Sequence, residues 1–146
     1  MSGRRLIVSF LIVLTLFTGA LIYTQFFAYY ERDRVSESIT IGDLSFAVED
    51  LDMIDASTSP LKLRACFRAD PESFAALPIA PKPTPLNPPP WFSCFDAEQL
   101  SRDLTNGRSK AYLLAEDDPD GTDTVLAIYS NGEGYLWRQL DERFSN

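Results

Sequence analysis

The groups in this chain with the means to do chemistry are two thiols and an acidic turn. Cys66 and Cys94 are its two cysteines, and it has no histidine. A reactive thiolate needs a base or cation beside it, and a zinc site needs further ligands beyond two sulfurs. This pair has no C-x-x-C spacing and no third ligand nearby. In an oxidising compartment a lone pair of cysteines bonds to itself, so a Cys66–Cys94 disulfide is the expected chemistry. The missing histidine also removes Ser-His and Cys-His nucleophilic catalysis, histidine-ligated haem and most zinc sites. No glycine-rich strand-to-helix phosphate loop occurs either.

The acidic turn Glu116-Asp117-Asp118-Pro119-Asp120-Gly121-Thr122-Asp123 invites a calcium-loop reading. With Gly121 at the sixth position of an EF-hand, Glu116, Asp118 and Asp120 take positions one, three and five, but the twelfth position is Ala127 instead of a bidentate Glu. The register fails, and the segment reads as a solvated Asp-Pro-Asp-Gly connection between strands. Acids are abundant elsewhere, yet nothing singles out two of them as a catalytic pair. The sequence therefore nominates no catalytic, cofactor-binding or metal-binding residue, and a non-enzyme is expected. Trp91, Phe92, Tyr135 and Trp137 could line a ligand pocket or fill a core, and the sequence leaves both open.

These groups are carried by one exported domain behind a membrane anchor. Leu6 to Phe27 contains no charged residue and follows the pair Arg4 and Arg5. At about 1.5 Å per residue the run makes a helix of roughly 33 Å, enough to cross a hydrocarbon core of about 30 Å. The positive-inside rule places residues 1–5 in the cytoplasm, residues 6–28 across the membrane, and the remainder outside the cytoplasm. The aromatic exit, Tyr23, Phe26, Phe27, Tyr29 and Tyr30, suits the headgroup level. The apolar run exceeds a usual signal-peptide core and no small-x-small site follows, so an uncleaved signal anchor is expected. Leu11, Thr15, Thr18, Gly19, Ile22 and Gln25 share one side of the helix. Small and hydroxyl groups there offer a docking face for a membrane-protein partner, although a single-pass helix also tolerates Thr and Gly anywhere.

All twenty-one acidic residues lie beyond the anchor with only eleven of the thirteen basic ones, an excess of ten negative charges. That balance argues against nucleic acid and against close adsorption to anionic lipid, and suits a domain standing off the bilayer.

Residues 29–38 read as a juxtamembrane spacer, and 39–146 as one α+β domain. Ile39–Ile41 and Ser45–Val48 flank Gly42-Asp43 as a hairpin. The stretch EDLDMIDASTSP reads as loop. Leu61 to Arg68 alternates as a half-buried strand with Lys62, Arg64, Cys66 and Arg68 outward, a basic face expected to pair with the acids Glu49, Asp50, Asp52 and Asp55, the alternative being an anion-binding or partner-contact stripe. Eight of the ten prolines fall between Pro71 and Pro90. The segment 71–91 is therefore an extended proline-rich loop, which Trp91 and Phe92 dock onto the core. Asp96 caps a short helix, Ala97–Thr105, with Gln99 completing a capping box. Strands follow at Lys110–Leu114, Thr124–Tyr129 and Tyr135–Leu140, the last two joined by a hairpin whose glycines supply positive φ. The sum is a four- or five-stranded antiparallel sheet covered on one face by the helix.

The runs IDASTSPLKLRACF, PWFSCFDAEQL and AIYSNGEGYLWRQL, in that order behind one N-terminal membrane helix, resemble an uncharacterised family of small single-pass alphaproteobacterial proteins, a domain of unknown function. The resemblance implies the same topology and the paired cysteines, and it brings no activity with it. The function expected is that of a membrane-anchored periplasmic protein acting by interaction, as an accessory or assembly component of an inner-membrane complex. The alternative is a small periplasmic ligand-binding or sensing module.

Overall fold

The computed structural model describes residues 2–145. Helix α1 (Gly3–Phe26) has no buried residue along its length and is long and apolar enough to cross a membrane. The chain then enters strand β1 (Tyr30–Asp33) after only three residues, with Tyr29 turning the corner at φ 69°. Strands β2 (Ser38–Ile41) and β3 (Leu44–Ala47) form the hairpin expected around Gly42. They are followed by β4 (Glu49–Ala56), β5 (Arg64–Arg68), helix α2 (Ala97–Thr105), β6 (Ser109–Ala115), β7 (Thr122–Tyr129) and β8 (Glu133–Leu140).

The main sheet has six strands in the order β1-β4-β5-β8-β7-β6, all neighbours antiparallel, with the β2–β3 hairpin a separate two-stranded sheet. This corrects the expected four or five strands, and both additional strands hide in polar sequence. β1 is YERD, within the supposed spacer, and pairs residue by residue with β4 from Tyr30↔Ala56 to Asp33↔Met53. β4 is EDLDMIDA, read as loop. Its register shifts between Glu49 and Asp52, where Asp50 adopts φ 50°. Leu51 is buried on one face of β4 and Ile54 on the other, so no single apolar face alternates with a polar one, and the acids between them give the segment the look of a loop.

Successive residues of the central strands feed different cores, which shows that both faces of the sheet are covered, one more than expected. On one face Leu51, Ala65, Phe67, Leu126 and Leu136 pack with Ile39 and Phe46 of the hairpin and with Phe74 of a 3-10 turn. On the other, Ile54, Val125, Ala127 and Trp137 pack under Ala97 and Leu100 of α2 and under Ala80, Phe92 and Phe95. The strand expected over 61–68 is shortened accordingly. Pro60–Lys62 is a 3-10 turn capped by Ser59, and Arg64 lies at 4% exposure beneath the second layer instead of outward in solvent.

Helix α2 has the expected bounds. Asp96 accepts from the Gln99 amide at 2.9 Å. The capping box is only half made, because the Gln99 side chain turns away to donate to Asp103 at 3.1 Å. In the β7–β8 turn Gly132 has φ 92°, as a tight hairpin needs. Gly134 serves a different end: it lies in β8 opposite Phe67, whose ring fills the space a Cβ would occupy.

Candidate functional site

The candidate site is the proline-rich strap and its junction with α1. Proline cannot donate to a ladder, so a segment with so many prolines must be held at the few positions that can donate or accept. The strap leaves the first core at Phe74 and runs along the outer edge of β6, where the Leu113 amide donates to the Pro78 carbonyl and the Ala80 amide to the Ala111 carbonyl, at 2.9 and 3.0 Å. This covers part of an edge strand that would otherwise present unpaired backbone. The strap then crosses the second face. Gln139, buried in β8, donates to the Lys82 carbonyl at 2.9 Å and accepts from the Thr84 amide at 2.7 Å. The same carboxamide oxygen accepts from Trp137 Nε1 at 3.0 Å. Arg64 Nε donates to the Leu86 carbonyl at 2.8 Å, and its Nη1 donates to the carbonyls of Leu61 and Leu63. The strap ends at the disulfide between Cys66 and Cys94, which ties it to β5.

Three residues before Cys94, the strap meets the end of α1. Trp91 Nε1 donates to the carbonyl of Phe26, one of the α1 C-terminal acceptors that has no partner within the helix. The Trp91 ring stacks on Phe27 with centroids 6.4 Å apart and meets Tyr30 edge-on at 5.5 Å. The Arg32 guanidinium lies 5.6 Å from both the Trp91 and Phe92 rings while forming a two-pronged pair with Asp52, at 2.8 and 2.7 Å. Those bonds hold the Asp52 carboxyl below the usual carboxylate range. Asp52 also binds Arg34, and Asp55 pairs with Arg138. Asp52 and Asp55 thus pair with arginines of the β1 segment and of β8, while Arg68 donates to the Asn131 carbonyl, so the expected pairing with the basic side of β5 is replaced.

The four singled-out aromatics separate. Phe92 and Trp137 are core, at 1% and 0% exposure. Tyr135 is half-buried and packs edge-on against Phe95 and Tyr129. Trp91 belongs to the junction. None of the four lines the larger clefts of the domain; the most enclosed of these, about 610 Å³, lies between the strap and the ends of β6–β8 and is lined by Leu61, Lys82, Thr84, Leu86, Asp123 and Gln139, among others. On α1, Thr15 returns its hydroxyl to the Leu11 carbonyl at 2.9 Å. A Cβ added at Gly19 would meet open space, and Thr18 and Ile22 are exposed. Gln25, at the domain end of that side, borders a cleft at the junction.

The acidic turn is closed internally. Asp117 accepts from the Gly121 amide at 2.7 Å, which holds its carboxyl below the usual range, and Arg143 bridges Asp117, Asp120 and Asp141. Under α2, the Asp103 carboxylate accepts from Gln99 and, at 2.7 Å, from Tyr129. These bonds lower the Asp103 pKa, and burial together with Asp103 raises that of the Tyr129 phenol. Among the described residues no group of three His, Cys, Asp or Glu side chains converges as metal ligands would.

Sequence reasoning missed Arg64, Gln139 and Asp103. Each is a polar residue on a face that the structure buries, and the layer that covers the first two is the irregular strap. No curated protein and no solved structure matches the chain. Residues 27–146, from the turn after α1 to the C-terminus, match the model of a family of unknown function, DUF6446, and the chain belongs to that family.

Proposed function

We propose that this chain is a non-enzymatic, single-pass membrane protein that acts by interaction, as an accessory or assembly component of a bacterial inner-membrane complex. In this reading residues 1–5 are cytoplasmic and the domain after α1 is periplasmic. The observation that carries the proposal is the junction. An apolar helix with no buried residue passes into a sheet strand after three residues, and Trp91 clamps its last turn to the domain. A domain held this way moves with its anchor, so contacts made by α1 in the bilayer and by the domain outside it act on one partner as a unit. The Thr15, Thr18, Gly19 and Ile22 side of α1 is the helical part of that surface. The Cys66–Cys94 bond supports an oxidising compartment, and Arg4 and Arg5 support the orientation.

The test is affinity purification of the full chain in mild detergent, which should return a stoichiometric membrane partner that Trp91→Ala weakens. A lone monomer under several extraction conditions refutes the reading. A periplasm-only reporter fused after residue 146 should be active; an inactive fusion overturns the orientation.

A second reading, a ligand-binding or sensing module, is favoured by the cleft of about 610 Å³ under the strap. Its walls combine apolar Leu61, Leu86 and Val125 with Lys82, Asp123 and Gln139, the mixture a small-molecule site uses. A thermal-shift screen of the full chain with envelope metabolites discriminates: stabilisation that Lys82→Ala abolishes supports this reading, and the absence of any shift removes it.

A further inference from the structure

A cationic cleft lies at the end of the strap nearest α1. A cleft of about 220 Å³ is bounded by Gln25 and Phe26 of α1, Tyr30 of β1, Lys62 and Arg64, and the strap residues Asn87 to Pro89. We propose that this cleft binds the phosphate of a membrane phospholipid, with Lys62 and Arg64 as its cationic ligands.

Depth is the first argument, and it rests on the reading that α1 spans the bilayer. From Leu6 to the cleft at Phe26 the helix rises about 30 Å, the thickness of a hydrocarbon core. The cleft therefore opens where lipid phosphates lie. Charge is the second. In a domain with ten excess negative charges, this cleft is lined by two cations and no carboxylate.

Arg64 itself is the third argument. It is 4% exposed, yet among the described residues its guanidinium pairs with no carboxylate. Its Nε and Nη1 donate to three neutral carbonyls, and Nη2 makes no hydrogen bond among those residues. Burial pushes its pKa down to about 10. A buried cation without an anion is costly, and the free Nη2 donors of Arg64 can bond a phosphate oxygen. Lys62 is at present satisfied only by neutral groups: its ammonium donates to the Thr58 hydroxyl at 3.1 Å and lies 5.1 Å from the Tyr30 ring. Its flexible stem can carry that charge to a phosphate. Pro88, Pro89 and Leu61 supply apolar wall for the glycerol end of the lipid.

The experiment is native mass spectrometry of the full chain in mild detergent. It is loaded in parallel with phosphatidylglycerol and with diacylglycerol of the same acyl chains, which lacks the phosphate. One phosphatidylglycerol per chain should be retained at least tenfold better than diacylglycerol, and Lys62→Glu should reduce that retention about tenfold, as loss of a charge-assisted bond predicts. Lys62 is not in the core, so this variant keeps the fold testable where Arg64→Gln could lose the strap; thermal melts check both. Equal retention of the two lipids, or unchanged retention by Lys62→Glu, overturns the site. Displacement by millimolar inorganic phosphate reassigns it to a soluble anion and overturns the lipid assignment. Carbonate extraction of membranes tests the anchor separately: a chain that leaves the pellet refutes membrane insertion, whereas one that stays while retaining no phospholipid refutes only this site.

Discussion

Reducing Cys66–Cys94 should lower stability without changing the fold, and the structure says by how much and why. The bond closes a segment with a sequence separation of 28. Constraining a loop of that size in the unfolded chain contributes about 3.5 kcal/mol in the chain-entropy model. In the native state the strap has independent holds: the backbone pairs with β6 at Pro78 and Ala80, the Gln139 clamp on Lys82 and Thr84, and Arg64 on Leu86. Each is worth about 1 kcal/mol, enough together to keep the strap docked once the covalent tie is gone. For a domain of this size the loss corresponds to a drop in Tm on the order of 10–20 °C. The assay is thermal unfolding of the full chain in detergent with and without reductant, beside the Cys66→Ala, Cys94→Ala double variant. Hydrogen exchange should show the amides of Ala80, Thr84 and Leu113 still protected after reduction. Quantitative thiol labelling before reduction, or a Tm that does not move, refutes the bond. Loss of protection at those three amides refutes the division of labour between the covalent and non-covalent holds.

Acid should weaken the domain through Asp52 and Asp103, whose carboxyls are both held below their ordinary pKa. A depressed folded pKa contributes stability that is fully present above the unfolded value, near pH 4, and is lost as pH falls through the folded pKa. Urea midpoints measured from pH 7 to pH 3 should fall at the acid end, and Asp52→Asn and Asp103→Asn should each flatten that fall. Gly134→Ala should destabilise by about 1–3 kcal/mol because its Cβ would overlap the Phe67 ring, and Phe67→Leu in the same chain should recover part of the loss in chemical denaturation. Lipids brominated near the headgroup should quench Trp91, which sits against the end of α1, but leave Trp137, fully buried in the domain, unaffected. Single-tryptophan variants in nanodiscs separate the two signals, and equal quenching would place the junction away from the interface.

What could be read from the sequence follows from which residues carry a periodic signal. α1 was legible as a long run without charge, α2 because its apolar residues recur at the helical period and Asp96 marks its start chemically, and the three C-terminal strands as short apolar runs bounded by turn residues. β1 and β4 were not. In β1 only Tyr30 faces the core, and the other three residues are charged. In β4 Leu51 and Ile54 are buried on opposite faces, so neither face shows a run of apolar residues, while Asp52 and Asp55 make the segment look solvated although both are spent on arginines from neighbouring strands. The candidate site was least legible, for a related reason. The strap has no period, so nothing in its own sequence says that it lies flat on the sheet, and Arg64 and Gln139, which hold it there, sit at alternating positions where a one-layer sheet would expose them. What did point to a second layer was the disulfide. A bond from Cys66 in the middle of β5 to Cys94 requires the chain before Cys94 to return over that face of the sheet. Once that return is granted, every outward-pointing polar residue of β5 and β8 on that face becomes a candidate to grip proline-rich backbone, since carbonyls are the one group such a segment offers throughout.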